Sequence, residues 1–142
     1  MTEDKKLDLV LLVDDDPVVN ILNTVIIKQS GFVKEIRQAD SAESALNALT
    51  LLQLEKKWPS IIFVDINMPG IDGWEFIEML GEKFIDFKNK CVICVLSSSL
   101  DPRDRDKATQ SPWVDSFLSK PLPGEAMEHL CRMYYDLKVG VK

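Results

Sequence analysis

From Leu7 to Leu137 the chain alternates five times between a short apolar run and a longer amphipathic stretch. Few architectures accept that pattern. Strands separated by helical crossovers must run parallel, and a parallel sheet needs helices on both faces to cover it. Leu7 to Val13 reads as the first buried strand. Asp16 and Pro17 then read as N-cap and first residue of a helix, which Gly31 ends. Its apolar residues Val18, Ile21, Leu22 and Val25 recur at helical spacing. Phe32 to Ala39 is the second strand, and Asp40 with Glu43 has the spacing of a capping box before a helix whose stripe is Ala42, Ala45, Leu46 and Leu49. Ile61 to Val64 is the third strand, ending at Asp65. Asp72 caps a helix carrying Phe76, Ile77, Leu80 and Phe84. Val92 to Leu96 and Phe117-Leu118 are the last two strands. Gly124 to Leu137 is the last helix, with Met127, Leu130, Tyr134 and Leu137 inward.

One such sheet accounts for all 142 residues, so residues 1–142 are expected to form a single domain with its core at about 7–138. A net charge of −6 repels phosphate backbones and argues against nucleic acid as a direct partner. No apolar run is long enough to enter a membrane, and the polar start, Met1 to Lys6, has no signal-peptide core. A cytoplasmic location is expected. The 3 cysteines, an odd number, do not suggest a disulfide framework.

Parallel sheets bind ligands outside the carboxyl ends of their strands, where strand order reverses. The first strand here ends in Asp14-Asp15-Asp16, the third in Asp65, the fourth in Ser97 and the fifth in Lys120-Pro121. Carboxylates brought together repel unless a cation stabilises their charged forms. A few hard oxygens suit Mg²⁺. Lys120 and Ser97 add donors for phosphoryl oxygens, so the set is built for a carboxylate that attacks phosphorus. Taken singly, each element has a plainer role. Asp16 is a helix cap, Ser97 to Ser99 a polar turn, Lys120-Pro121 a loop; the combination at four strand ends carries the inference.

Leu12-Val13-Asp14-Asp15-Asp16, Phe63 to Gly73 (FVDINMPGIDG), Val95-Leu96-Ser97-Ser98 and Phe117-Leu118-Ser119-Lys120-Pro121 resemble response-regulator receiver domains of two-component signalling. The resemblance implies an α/β, flavodoxin-like, doubly wound sheet of five parallel strands in order 2-1-3-4-5 with five helices. It implies that Asp65 is the phosphoacceptor in a His-to-Asp phosphorelay. Asp14 and Asp15 would form the acidic pocket, with Mg²⁺ as cofactor bound by Asp15, Asp65 and the Asn67 backbone carbonyl. Lys120 would contact the phosphoryl group through a loop with a cis Lys120–Pro121 bond. Ser97 stands at the switch hydroxyl, usually Thr, and Phe117 at the switch aromatic. Asn67 and Ser99 would flank the path of attacking water. Neither is an acid or a base, so at most slow self-phosphorylation and self-dephosphorylation are expected, not enzymatic turnover. The expected partners are a histidine kinase or histidine phosphotransfer protein upstream and another protein downstream. Output would leave through the fourth helix, fifth strand and fifth helix. Met1 and its polar lead-in suggest a stand-alone receiver.

Three rivals are weaker. A phosphatase of haloacid-dehalogenase type needs an acid two residues past its nucleophile, where Asn67 stands. A flavin or dinucleotide carrier needs a phosphate-cradling first turn, and three aspartates would repel one. A phosphorylation-independent interaction domain of the same fold is the main alternative, but such variants usually lose part of the site. Cys91 and Cys94 form a C-x-x-C within a strand, where positions i and i+3 face opposite sides. They are expected in the core, as is Cys131. His129, the lone histidine, falls off the apolar stripe and is expected at the surface. The charged segment from Phe84 to Lys90 is expected to be a surface loop, and the segment 101–110 a helix with Ala108 as its one core-suited residue.

Overall fold

A computed structural model describes residues 6–84, 86–98 and 101–140. Five parallel strands, β1 (Leu7–Val13), β2 (Val33–Ala39), β3 (Ile61–Asp65), β4 (Val92–Ser97) and β5 (Ser116–Ser119), form one sheet in the order β2-β1-β3-β4-β5. Helices α1 (Pro17–Ser30), α2 (Ala42–Leu54), α3 (Gly73–Lys83), α4 (Pro102–Gln110) and α5 (Ala126–Lys138) supply the crossovers and the end. Every residue of β3 and β4 is buried, as expected of strands covered on both faces.

Strand alternation splits the core in two. Leu11, Val13, Ile62, Val64, Ile93 and Val95 pack against α2 and α3. Val10, Leu12, Phe63, Cys94 and Leu96 pack on the other face, against Ile27 of α1 and Met127 and Leu130 of α5. Cys91 belongs to the first cluster and Cys94 to the second, so the C-x-x-C is divided across the sheet as its spacing requires. Burial pushes the Cys94 thiol up to about 12. Cys131 is buried and His129 exposed.

Four local expectations need correction. The cap of α2 is Ser41, whose hydroxyl accepts from the Ser44 N–H; Asp40 instead takes the Ser44 hydroxyl. The true capping box is on α3, where Asp72 and Glu75 exchange bonds. The segment before β4 is not a free surface loop. Phe84 and Phe87 are buried, and a 3₁₀ turn that starts at Phe87, Phe87–Asn89, precedes the strand. The last helix begins at Ala126, and Tyr134 and Leu137 are only half-buried on it.

The larger departure is α1. Its apolar residues Val18, Ile21, Leu22 and Val25 are 69%, 61%, 45% and 45% exposed. The residues it buries are Asn20, Asn23 and Ile27, which lie on the opposite side of a 3.6-residue helix. The usual rule that an apolar stripe faces the core fails here.

Candidate functional site

Sheet register builds the site. Val13 pairs with Val64, Asp65 with Leu96, and Ser97 with Ser119. Asp14, Asp65, Ser97 and Lys120 therefore emerge at adjacent strand ends, although more than 100 residues separate the first from the last. This edge lies where the chain, having passed from β1 out to β2, returns to β3 on the other side, the reversal at which open α/β sheets form crevices.

The Lys120 ammonium lies between two carboxylates, 2.8 Å from Asp14 Oδ2 and 3.0 Å from Asp65 Oδ1. Both acids are buried. Burial raises the Asp14 carboxyl above its ordinary range, and the bonds from Lys120 and the Asp16 N–H offset this only in part. Burial acting alone would lower Lys120, but the bonds to Asp14 and Asp65 outweigh it and hold the ammonium above its ordinary value. Asp15 is exposed, yet its carboxylate and those of Asp14 and Asp65 can bring one oxygen each within 4.8 Å of one another. Three carboxylates with one ammonium leave a net negative pocket of hard oxygens, which fits a small divalent cation. Asp65 Oδ1 also accepts from the Asn67 N–H at 3.1 Å. Among the described residues Asp65 Oδ2 takes no bond.

The surrounding loops are held by residues that the strand-end reading missed. Asn20 Nδ2 donates to the Asp14 carbonyl at 2.9 Å, and Asn23 Oδ1 accepts from the Leu122 N–H at 3.1 Å. One polar face of α1 thus ties down both the Asp14 turn and the loop after Lys120. The only hint in the sequence is two asparagines at i, i+3 in the otherwise apolar first two turns of α1. Gly73 is the second omission. A Cβ there would fall 2.5 Å from the Asp65 carbonyl oxygen, so only glycine lets α3 start this close to the end of β3.

The Lys120–Pro121 peptide is cis. Ser97 is buried at the end of β4, and its carbonyl accepts from the Lys120 N–H at 3.0 Å. Phe117 is half-buried on β5, with the Arg105 guanidinium of α4 5.1 Å from its ring centre. Asn67 is exposed beside Asp65. Ser99 lies outside the described residues. Among those described, no helix is long and apolar enough to cross a membrane.

Similarity to known proteins extends over nearly the whole chain. The family model described as the response regulator receiver domain matches residues 10–132. The chain is 32% identical over 86% of its length to the response regulator Rre1 of Synechocystis, and 33% identical over 94% to a protein-glutamate methylesterase/protein-glutamine glutaminase of Agrobacterium fabrum. It spans 49% and 34% of those two proteins. Among solved structures, a two-component response regulator from Cytophaga hutchinsonii superposes with a TM-score of 0.89 at 50% identity, covering 92% of this chain and 98% of that one. A response regulator receiver protein from Dyadobacter fermentans shares the fold at a TM-score of 0.79 and 24% identity. With the family model aligned over nearly the whole chain and the strand-end acids and lysine assembled as described, the chain belongs to the response regulator receiver domain family.

Proposed function

We propose that Asp65 accepts a phosphoryl group from a phosphohistidine and that the chain passes the change on through α4, β5 and α5. The observation that carries this reading is the Lys120 ammonium held between Asp14 and Asp65 at the end of the sheet. Asp65 Oδ1 is occupied by Lys120 and the Asn67 N–H, which leaves Oδ2 as the attacking oxygen. It forms a P–O bond as the donor's P–N bond breaks, and the imidazole departs with that electron pair. Lys120 turns one of its donors to the phosphoryl oxygens. Asp14, Asp15, Asp65 and the Asn67 carbonyl would hold Mg²⁺, which supplies positive charge against the phosphoryl oxygens. No acid or base stands two residues past Asp65, in keeping with a phosphoacceptor rather than a phosphatase.

The donor's approach is favoured along α1. Its exposed apolar stripe begins two residues past Asp16, beside the acids, and runs away from them. A helix of the donor packed on that stripe would place a histidine over Asp65. On the other flank, the Arg105 contact ties the Phe117 ring to α4. Inward rotation of Phe117, following Ser97 toward the phosphoryl group, would break that contact and release α4. Such a contact is worth only about 0.5–1 kcal/mol at an exposed site, so the switch is lightly held.

Incubation with Mg²⁺ and acetyl phosphate should add one phosphoryl mass to the protein and none to Asp65→Asn. An unchanged adduct in Asp65→Asn would refute the assignment. Asp15→Ala should lose the metal dependence.

A further inference from the structure

The end of the sheet opposite Asp65 carries a second cleft, of about 720 Å³, with the opposite charge. Its walls come from the start of β1 and β2, the α2–β3 connection, the turn before β4, and the end of α5. In a chain of net charge −6, five of its lining residues are lysines: Lys34, Lys56, Lys57, Lys90 and Lys138. The two acids on the wall are already neutralised, Asp8 by Lys34 at 3.4 Å and Glu35 by Arg37 at 2.7 Å. Among the described residues Lys56, Lys90 and Lys138 have no carboxylate partner. Lys90 instead lies 5.4 Å from the centre of the Trp58 ring and Lys138 6.0 Å from that of Tyr134. Cations resting over aromatic faces are what an anion would draw away. The buried Trp58 indole N–H has no acceptor among the described residues either.

A second observation concerns the backbone. The α2 C-terminus closes with the Lys56 N–H on the Gln53 carbonyl and the Lys57 N–H on the Leu52 carbonyl, the two bonds of a Schellman turn. The residue at its left-handed position is normally glycine. Here it is Lys56, at φ 60°. A side chain stands where glycine would sit without strain, and that side chain lines the cleft.

We propose that this cleft binds a nucleotide. Ammonium groups suit phosphate as point charges, and the indole and phenol rings suit a purine or pyrimidine face. The volume lies within the range of small-ligand sites. Lys56, Lys90 and Lys138 would take the phosphates, and Trp58 and Tyr134 the base.

The test is an amide and indole NMR titration of the full chain with ADP, and separately with tripolyphosphate, without divalent metal. ADP should shift the Trp58 indole N–H and the amides of residues 56–58 and 134–138, saturating with a Kd below about 1 mM. Lys90→Glu with Lys138→Glu should weaken binding roughly tenfold by reversing two charges. Lys56→Gly should raise the thermal midpoint by relieving the left-handed residue, yet weaken ADP; this variant separates ligand loss from misfolding. No shift at several-fold the expected Kd would overturn the proposal. So would shifts confined to the Asp14 and Asp65 loops, tripolyphosphate binding as tightly as ADP, or a Lys56→Gly protein that binds ADP unchanged.

Discussion

Helices α1 and α4 both begin at the carboxyl end of the sheet, α1 on the β2 side and α4 on the β5 side, and solve opposite problems. α1 turns four large apolar side chains to solvent and buries two asparagines. α4 has almost no apolar side chain: Ala108 is its one buried residue and belongs to neither core cluster. Yet α1 is the better anchored. Ile27 sits in the core, and Asn20 and Asn23 bond backbone groups of two different loops. α4 is capped by Asp101 and otherwise held at its margins, by Asp104 to the Trp74 indole at 3.4 Å, Lys107 over the Trp74 ring, and Arg105 over Phe117. Exposed polar contacts of this kind contribute little each, and most helical stability comes from packing. The contrast teaches that a helix's outward face and its anchorage are separate properties. In our reading α1 is rigid with an adhesive face and α4 is loose with a polar one, as a docking platform and a switching element respectively require.

The largest effect that could break this contrast is on phosphotransfer. Ile21→Lys with Leu22→Lys should slow transfer from a histidine phosphotransfer protein by roughly a hundredfold, as expected for loss of interface anchors worth ~3 kcal/mol together. Labelling by acetyl phosphate, which needs no docking helix, should be unchanged. Equal loss with both donors would mean that α1 serves the site and not a partner.

Next in size is anchorage. Asn23→Ala strips the acceptor from a buried N–H of Leu122 and should cost about 1–3 kcal/mol in urea unfolding. A smaller loss would show that α1 is held by Ile27 alone. The legibility of this contact was nil in advance. Asn23 and Leu122 are 99 positions apart, and no local rule pairs a helix interior with a loop amide.

Smaller still is the difference in local opening. Native-state hydrogen exchange should release the amides of α4 at lower free energy than those of α1, by ~1–3 kcal/mol. A phosphoryl mimic should then alter protection in α4 and β5, and change Trp74 fluorescence through Asp104. Protection changes confined to the Asp14 and Asp65 loops would remove α4 from the output path.

The smallest expected effect is also a control. The stability cost of Ile21→Ala should stay within about 0.5 kcal/mol, since an exposed side chain away from the core loses little on truncation. A cost of the size seen for buried residues would mean that α1's apolar stripe is covered by the molecule itself.

The sequence by itself determined the alternation of strands and helices, and with it which residues stand at the carboxyl ends of the strands. Period-two and period-3.6 patterns are local, so Asp14, Asp65, Ser97 and Lys120 could be placed before any coordinates. The weak packing of α4 was legible for the same reason, since a helix without apolar residues has nothing to bury. Only the tertiary structure decided which side of α1 faces inward. Helical periodicity separates two stripes but does not say which one the sheet takes. Here the inner side of α1 meets a backbone carbonyl at Asp14 and a backbone N–H at Leu122, which Asn20 and Asn23 pair, and the aliphatic stripe is left on the outer side. The same holds for Gly73 and for Lys56. The need for glycine at one, and its absence at the other, become visible only when chain segments meet and the backbone takes its final turn.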